Sequence, residues 1–131
     1  MLKTVSAVSG VYDLVVGAVL FLFTAQMAAT FGVAAPVPEI HAKLNGIFLL
    51  VIGAGYYLPW REPDRYRAYL WLMGPVLKGA GAAMFLADYF LNGSPKSFLL
   101  FAASDGVLAA WTLAALTGGG QRAEGKGHRE R

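Results

Sequence analysis

Residues 12–23 have the sequence YDLVVGAVLFLF, in which one aspartate precedes an uninterrupted apolar run. The apolar character extends in both directions, so residues 4–31 hold a single charged side chain, Asp13. A helix in water needs a polar face along its length, and this segment offers none. About 20 apolar residues at 1.5 Å rise cross the hydrocarbon core of a bilayer. The segment predicts a membrane-crossing helix. Because Asp13 does not suit the apolar region of a signal peptide, we expect no cleavage.

Three further apolar segments follow, and prolines separate them. Hydrophobic residues make up 56% of the 131-residue chain and charged residues 15%, against roughly 45–50% and 25% in soluble domains. Prolines stop helices, and five of the six fall at or between the ends of these segments, at positions 36, 38, 59, 63 and 95. The predicted helices cover residues 4–31, 40–59, 66–91 and 97–117. Short connections make neighbouring helices antiparallel. The predicted fold is an all-α, integral membrane, up-down-up-down four-helix bundle over residues 1–117.

The second segment is the weakest of the four, because its clean apolar run covers only residues 46–58. It crosses the membrane if His41 and Lys43 lie at the outer interface, with the lysine stem along the apolar surface and its ammonium in water. A re-entrant segment is the alternative.

The distribution of Lys and Arg predicts the orientation of the chain across the membrane. On one side lie Lys3, Arg61, Arg65, Arg67, Arg122, Lys126, Arg129 and Arg131. The other side has Lys43 and Lys96. The positive-inside rule places both termini in the cytoplasm, with residues 118–131 as a disordered tail. The net charge of +3 is explained by these basic residues beside the apolar segments. We therefore expect the lipid bilayer as a partner and no nucleic acid.

The composition also limits the chemistry. The chain has no cysteine, which excludes disulfides, thiolate nucleophiles and Cys-ligated metals. His41 is the one histidine outside the tail, which argues against a paired-histidine haem. No nucleophile–base pair or metal-ligand set is recognisable. The sequence therefore assigns no catalytic residue, predicts no metal site, leaves any cofactor unidentified and favours a protein that is not an enzyme.

Three charged residues lie deep in the predicted helices. At 1.5 Å per residue, Asp13, Lys78 and Asp105 are about 15, 16 and 18 Å from the inner surface. Ionisable side chains at this depth usually face the interior of a bundle. Two carboxylates and one ammonium leave an excess negative charge, so one aspartate is expected to hold a proton. The cluster has two interpretations, a salt bridge that orients the helices and a ligand or proton site.

Small and polar residues recur at spacings of three and four on each helix, which predicts the interhelical contacts. The stripes are Ser6, Gly10, Asp13 and Gly17; Ala42, Asn45 or Gly46, Leu49, Gly53 and Tyr56; Gly74, Lys78, Gly81, Phe85 and Asp88; and Ala102, Asp105, Ala109 and Thr112. Pro75 is expected to kink the third helix one turn before Lys78. A secondary polar group, His41, Asn45 and Asp88, is predicted near the outer surface, where a solvated loop edge is the favoured interpretation.

Several short motifs together resemble a known group of proteins. They are Tyr12-Asp13-Leu14, GIFLLVIG over residues 46–53 followed by Tyr56, Arg61-Glu62-Pro63 to Arg65, Lys78-Gly79 and Ser104-Asp105. In these features the chain resembles small bacterial four-helix membrane proteins of the DoxX-like type. That resemblance implies a bacterial inner membrane location. It also implies a role as a subunit of a membrane redox complex or as a partner of other membrane proteins.

Three functional hypotheses remain open. The first is an accessory subunit or a protein that binds a small ligand or lipid, with a membrane-protein partner or a second copy of itself. The second is a small proton-coupled transporter that works as a dimer, with Asp13 as the titrating group. The third is a membrane enzyme or a quinone-linked component of a redox complex.

Overall fold

The computed structural model describes the backbone of residues 1–129 and the side chains of residues 1–118. Within that part the secondary structure is helical and contains no strand. Four helices are long and apolar enough to cross a membrane: Leu2–Leu22, Ile40–Arg61, Arg67–Asn92 and Lys96–Gly118. We call them the first to fourth long helices. The all-helical class and the four long apolar helices are confirmed. Of the predicted disordered tail, 118–131, only Gly118 lies among the residues whose burial is described, so its disorder stays a prediction.

The first predicted helix, over residues 4–31, is divided in two. Leu2–Leu22 is followed by a short helix, Thr24–Thr30. Phe23 separates them with φ −127° and ψ 45°, which lies outside the helical region. Lys43 Nζ donates a hydrogen bond of 3.0 Å to the carbonyl oxygen of Phe21. A side chain that bonds a helix carbonyl in this way is a known cause of helix kinks.

The other long helices also change geometry along their length. The second consists of Ile40–Gly55 and Tyr57–Arg61, and the third of Arg67–Trp71, a π-helical segment Leu72–Lys78, and Gly79–Asn92. A 3₁₀ turn, Lys96–Phe98, precedes the α-helix Leu99–Arg129. The π-helical segment contains Pro75, whose ring and missing N–H do not fit a regular α-helix. The irregularity expected at Pro75 therefore takes the form of a wider turn, which ends at Lys78.

Glycines bring the first and second long helices into backbone contact. A Cβ added to Gly17 would lie 2.8 Å from the carbonyl oxygen of Gly46, and one added to Gly53 would lie 2.9 Å from that of Gly10. A side chain at any of these positions would separate the helices. The predicted stripe of the first helix is buried at Ser6, Gly10, Asp13 and Gly17.

The third and fourth long helices meet through Gly74, whose added Cβ would lie 2.6 Å from Thr112 Cγ2. At one end of the molecule Arg67 donates a hydrogen bond of 2.6 Å to the carbonyl oxygen of Leu116. At the other end Ser97 Oγ donates one of 2.6 Å to the carbonyl oxygen of Phe31. The buried core near the first end consists of Tyr56, Leu70 and Leu116.

We expect Gly17→Ala to lower the free energy of unfolding by roughly 1–3 kcal/mol, because the added methyl group meets backbone atoms that cannot move aside. Gly79→Ala is the matched control, since a Cβ there meets nothing within 4 Å. It should leave the stability unchanged or raise it by up to about 1 kcal/mol. Thermal unfolding of both variants in detergent measures the difference. Equal melting temperatures for Gly17→Ala and wild type would contradict the close contact.

Candidate functional site

A buried ion pair joins the first and third long helices. Lys78 Nζ donates to Asp13 Oδ1 at 2.6 Å, and the two side chains are 5% and 1% exposed. Lys78 is the last residue of the π-helical segment. Its ammonium also lies 5.2 Å from the centre of the Tyr12 ring, a distance at which a cation and an aromatic ring attract each other. The charge of Lys78 is therefore compensated within the helical core.

Small residues on one face of the first long helix allow Asp13 to be buried. Asp13 lies on the same face as Ser6, Gly10 and Gly17, all of which are buried. Because these side chains are small, neighbouring helices approach closely and exclude solvent from the carboxylate. Asp13 Oδ2 is buried as well, and no hydrogen bond to it is formed by the described residues.

Asp105, the third member of the predicted cluster, takes a different position. It is partly buried on the fourth long helix. Within the described part of the chain it forms no ion pair and accepts no hydrogen bond to its side chain. A Cβ on Gly81 of the third helix would lie 3.5 Å from Asp105 Oδ2. The preceding residue, Ser104, shares a hydrogen bond of 2.6 Å with the hydroxyl of Tyr12.

A cavity of about 670 Å³ lies beside these groups, and residues from all four long helices line it. Its charged lining residues among those described are Asp13, Lys78 and Asp105. Most of the remaining wall is aliphatic or aromatic. The cavity extends to the connection after the short helix, where Phe31, Val33 and Pro36 contribute. Its charged groups are thus gathered at one level and its apolar wall continues away from them.

Four phenylalanines form an aromatic wall of the cavity: Phe31, Phe85, Phe98 and Phe101. The rings of Phe31 and Phe101 stack with their centres 4.7 Å apart, and those of Phe85 and Phe101 with centres 5.3 Å apart. Phe85 is seven residues beyond Lys78 and Phe98 is seven residues before Asp105. At 1.5 Å per residue, these rings lie about 10 Å along the helices from the charged level.

The predicted secondary polar group is not joined by hydrogen bonds or ion pairs among the described residues. Asn45 and His41 are both exposed, and of the two only Asn45 lines the cavity. Asp88 accepts a hydrogen bond of 2.7 Å from Asn92 and another from Ser94, at the end of the third helix. Lys43, expected to extend toward the outer interface, binds the carbonyl oxygen of Phe21 and lies 3.9 Å from Glu39.

Sequence reasoning missed the cavity and most of its aromatic wall. A signal was present on the fourth helix, because Phe98, Phe101 and Asp105 follow one another at spacings of three and four. Such spacing places side chains on one helix face. The hydrogen bond between Tyr12 and Ser104 was missed as well, although each residue stands directly before one of the predicted site aspartates.

Comparison of the chain with protein-family models, curated proteins and solved structures gives no match. Among the described residues, no group of three or more His, Cys, Asp or Glu side chains is placed to hold a metal ion. The site consists of a buried ion pair, a carboxylate without an ion-pair partner among the described residues, and an aromatic wall around one cavity.

We expect Asp13→Asn or Lys78→Met to lower the free energy of unfolding by about 3–5 kcal/mol, because each leaves a buried partner uncompensated. The double variant should cost less than the sum of the two single variants, since it removes both charges. The control is Glu62→Gln, which breaks the exposed pair of Glu62 with Arg65 and should cost at most about 1 kcal/mol. Thermal unfolding in detergent compares the four variants with wild type. Melting temperatures of the single variants that match the control would disprove the role of the pair.

Proposed function

We propose that this chain is a small integral membrane protein that binds an amphiphilic small molecule between its helices. The observation that carries the proposal is the cavity, whose charged groups lie at one level and whose aromatic wall lies at another. Ligand pockets usually have volumes of about 300–1,000 Å³, largely apolar walls and a few convergent polar groups. The cavity has a volume within that range, a largely apolar wall and a small group of charged residues.

Apolar side chains on the outside of the long helices support placement in a membrane. Val15, Val51, Leu72 and Leu100 are each at least half exposed, and exposure of this kind along several helices suits lipid rather than water. The backbone contacts of Gly10 with Gly53 and of Gly17 with Gly46 fit antiparallel neighbours. We therefore keep the up-down-up-down arrangement in a bacterial inner membrane, with both termini in the cytoplasm, as part of the proposal.

In this arrangement the aromatic end of the cavity lies toward the outer side of the membrane. The hydrophobic part of the ligand contacts Phe31, Phe85 and Phe101. Its polar group lies near Asp105, about 6 Å along the helix from Phe101. The ion pair of Asp13 and Lys78 holds the first and third helices at the separation that leaves this space open.

The second candidate function is a small proton-coupled transporter. One observation favours it, because Asp105 is a carboxylate without an ion-pair partner among the described residues. In that case Asp105 is the better titrating group, since the carboxylate of Asp13 is held by Lys78. The resemblance to DoxX-like proteins suggests two further roles, an accessory subunit of a membrane complex and a quinone-linked component.

The test is purification of the full chain from native membranes in lipid nanodiscs, followed by native mass spectrometry. We expect wild type to carry one small amphiphile per chain. Gly81→Leu should abolish the bound mass, because Gly81 lines the cavity and a leucine there occupies the space. Gly79→Leu is the matched control, since it adds the same side chain where a Cβ meets nothing, and it should retain the bound mass.

Wild type without any bound small molecule would contradict the proposal, as would equal occupancy of the two leucine variants. A stoichiometric protein partner in place of a small molecule would favour the accessory subunit. Proton-driven movement of cations by the purified chain in liposomes would favour the transporter. A bound quinone would support the binding site and identify the redox component.

A further inference from the structure

The charged residues that line the cavity indicate which charge its ligand carries. Of its charged lining residues, Asp13 and Lys78 compensate each other at 2.6 Å, and the ammonium also lies against the Tyr12 ring. Asp105 remains, facing the same cavity without an ion pair or hydrogen bond among the described residues. With both aspartates ionised the site has a formal charge of −1 in apolar surroundings, a costly state that either a proton on Asp105 or a positive ligand group relieves.

We infer that the cavity binds an amphiphilic cation, with its positive group beside Asp105 and its hydrophobic body against the phenylalanine wall. This inference rests on the proposed function, since it requires a ligand in the cavity. A positive ligand group beside Asp105 supplies the close contact that Lys78, bound to Asp13 Oδ1, does not make. An anionic ligand would add to the excess negative charge and is disfavoured for the same reason.

The apolar wall distinguishes this ligand from an inorganic cation. Metal ions such as Ca²⁺ take six to eight oxygen ligands, and the described residues hold no cluster of His, Cys, Asp and Glu suited to a metal. One carboxylate beside an aromatic wall instead fits an organic ammonium or phosphonium group with hydrophobic substituents. Aromatic rings also attract such cations where they present a face to them.

The test uses three probes of similar shape and different charge. They are tetraphenylphosphonium, which is positive, tetraphenylsilane, which is neutral, and tetraphenylborate, which is negative. Saturable binding to the full chain in lipid nanodiscs is measured against protein-free nanodiscs, which corrects for partition into lipid. Tetraphenylphosphonium should bind saturably and tetraphenylborate should not.

Variants of the carboxylate make the test specific. Asp105→Asn should weaken tetraphenylphosphonium binding by about tenfold or more, because it removes a charge that acts at short range in low dielectric. Asp105→Glu keeps the charge and should retain most of the affinity. Asp64→Asn is the matched control, since the Asp64 side chain is 95% exposed outside the cavity, and it should bind as wild type does. If Asp105→Asn does not fold, the binding of the three probes to wild type and to Asp105→Glu still shows whether the cavity prefers a cation.

Saturable binding of the neutral or negative probe as tight as that of tetraphenylphosphonium would overturn the inference and leave the binding cavity intact. So would tetraphenylphosphonium binding that Asp105→Asn does not weaken, or a neutral or anionic co-purified molecule in a chain that binds no cation. Failure of all three probes, together with the absence of any co-purified molecule, would overturn both the inference and the proposed function.

Discussion

The arrangement of the helical core depends on one interaction, the ion pair of Asp13 with Lys78. Removing two charges from water costs several kcal/mol per ion, and the pair returns this only with short geometry and further hydrogen bonds to its remaining polar atoms. The contact is short, at 2.6 Å, whereas Asp13 Oδ2 is buried without a hydrogen bond from the described residues. A pair of this kind penalises any packing that separates its members. It therefore restricts the register of the first helix against the third, since both charges must reach the same point.

Small residues make that burial possible. Ser6, Gly10 and Gly17 line the face of the first helix that carries Asp13, and the glycine contacts bring the second helix against it. On the third helix, the π-helical segment around Pro75 ends at Lys78. A π-helical turn changes the direction of the side chains that follow it relative to a regular α-helix, and such turns are frequent at functional sites. The prolyl residue thus affects where the lysine points as well as the shape of the helix.

Part of this arrangement follows from the sequence. Apolar run lengths predict the four long helices, and residue numbering gives a common depth for Asp13, Lys78 and Asp105 because the helical rise is constant. Depth does not give the direction of a side chain around the helix, so the sequence does not show which aspartate the lysine binds. The break at Phe23 is also hidden, since no proline or glycine stands there and Lys43, 20 residues later, bonds a nearby carbonyl. The cavity is formed by gaps between helices. The spacing of residues along each helix does not show where such gaps lie, so the cavity could not be predicted from the sequence.

The ion pair and the cavity are connected through charge. A single lysine among two aspartates compensates one carboxylate, and the short contact assigns that carboxylate to Asp13. Asp105 is then left beside a space with largely apolar walls, where neither water-like surroundings nor a second ammonium from the described residues stabilises it. A purely structural ion pair does not require this second carboxylate. Its position at the charged end of an aromatic-walled cavity is accounted for if the compensating positive group belongs to a ligand.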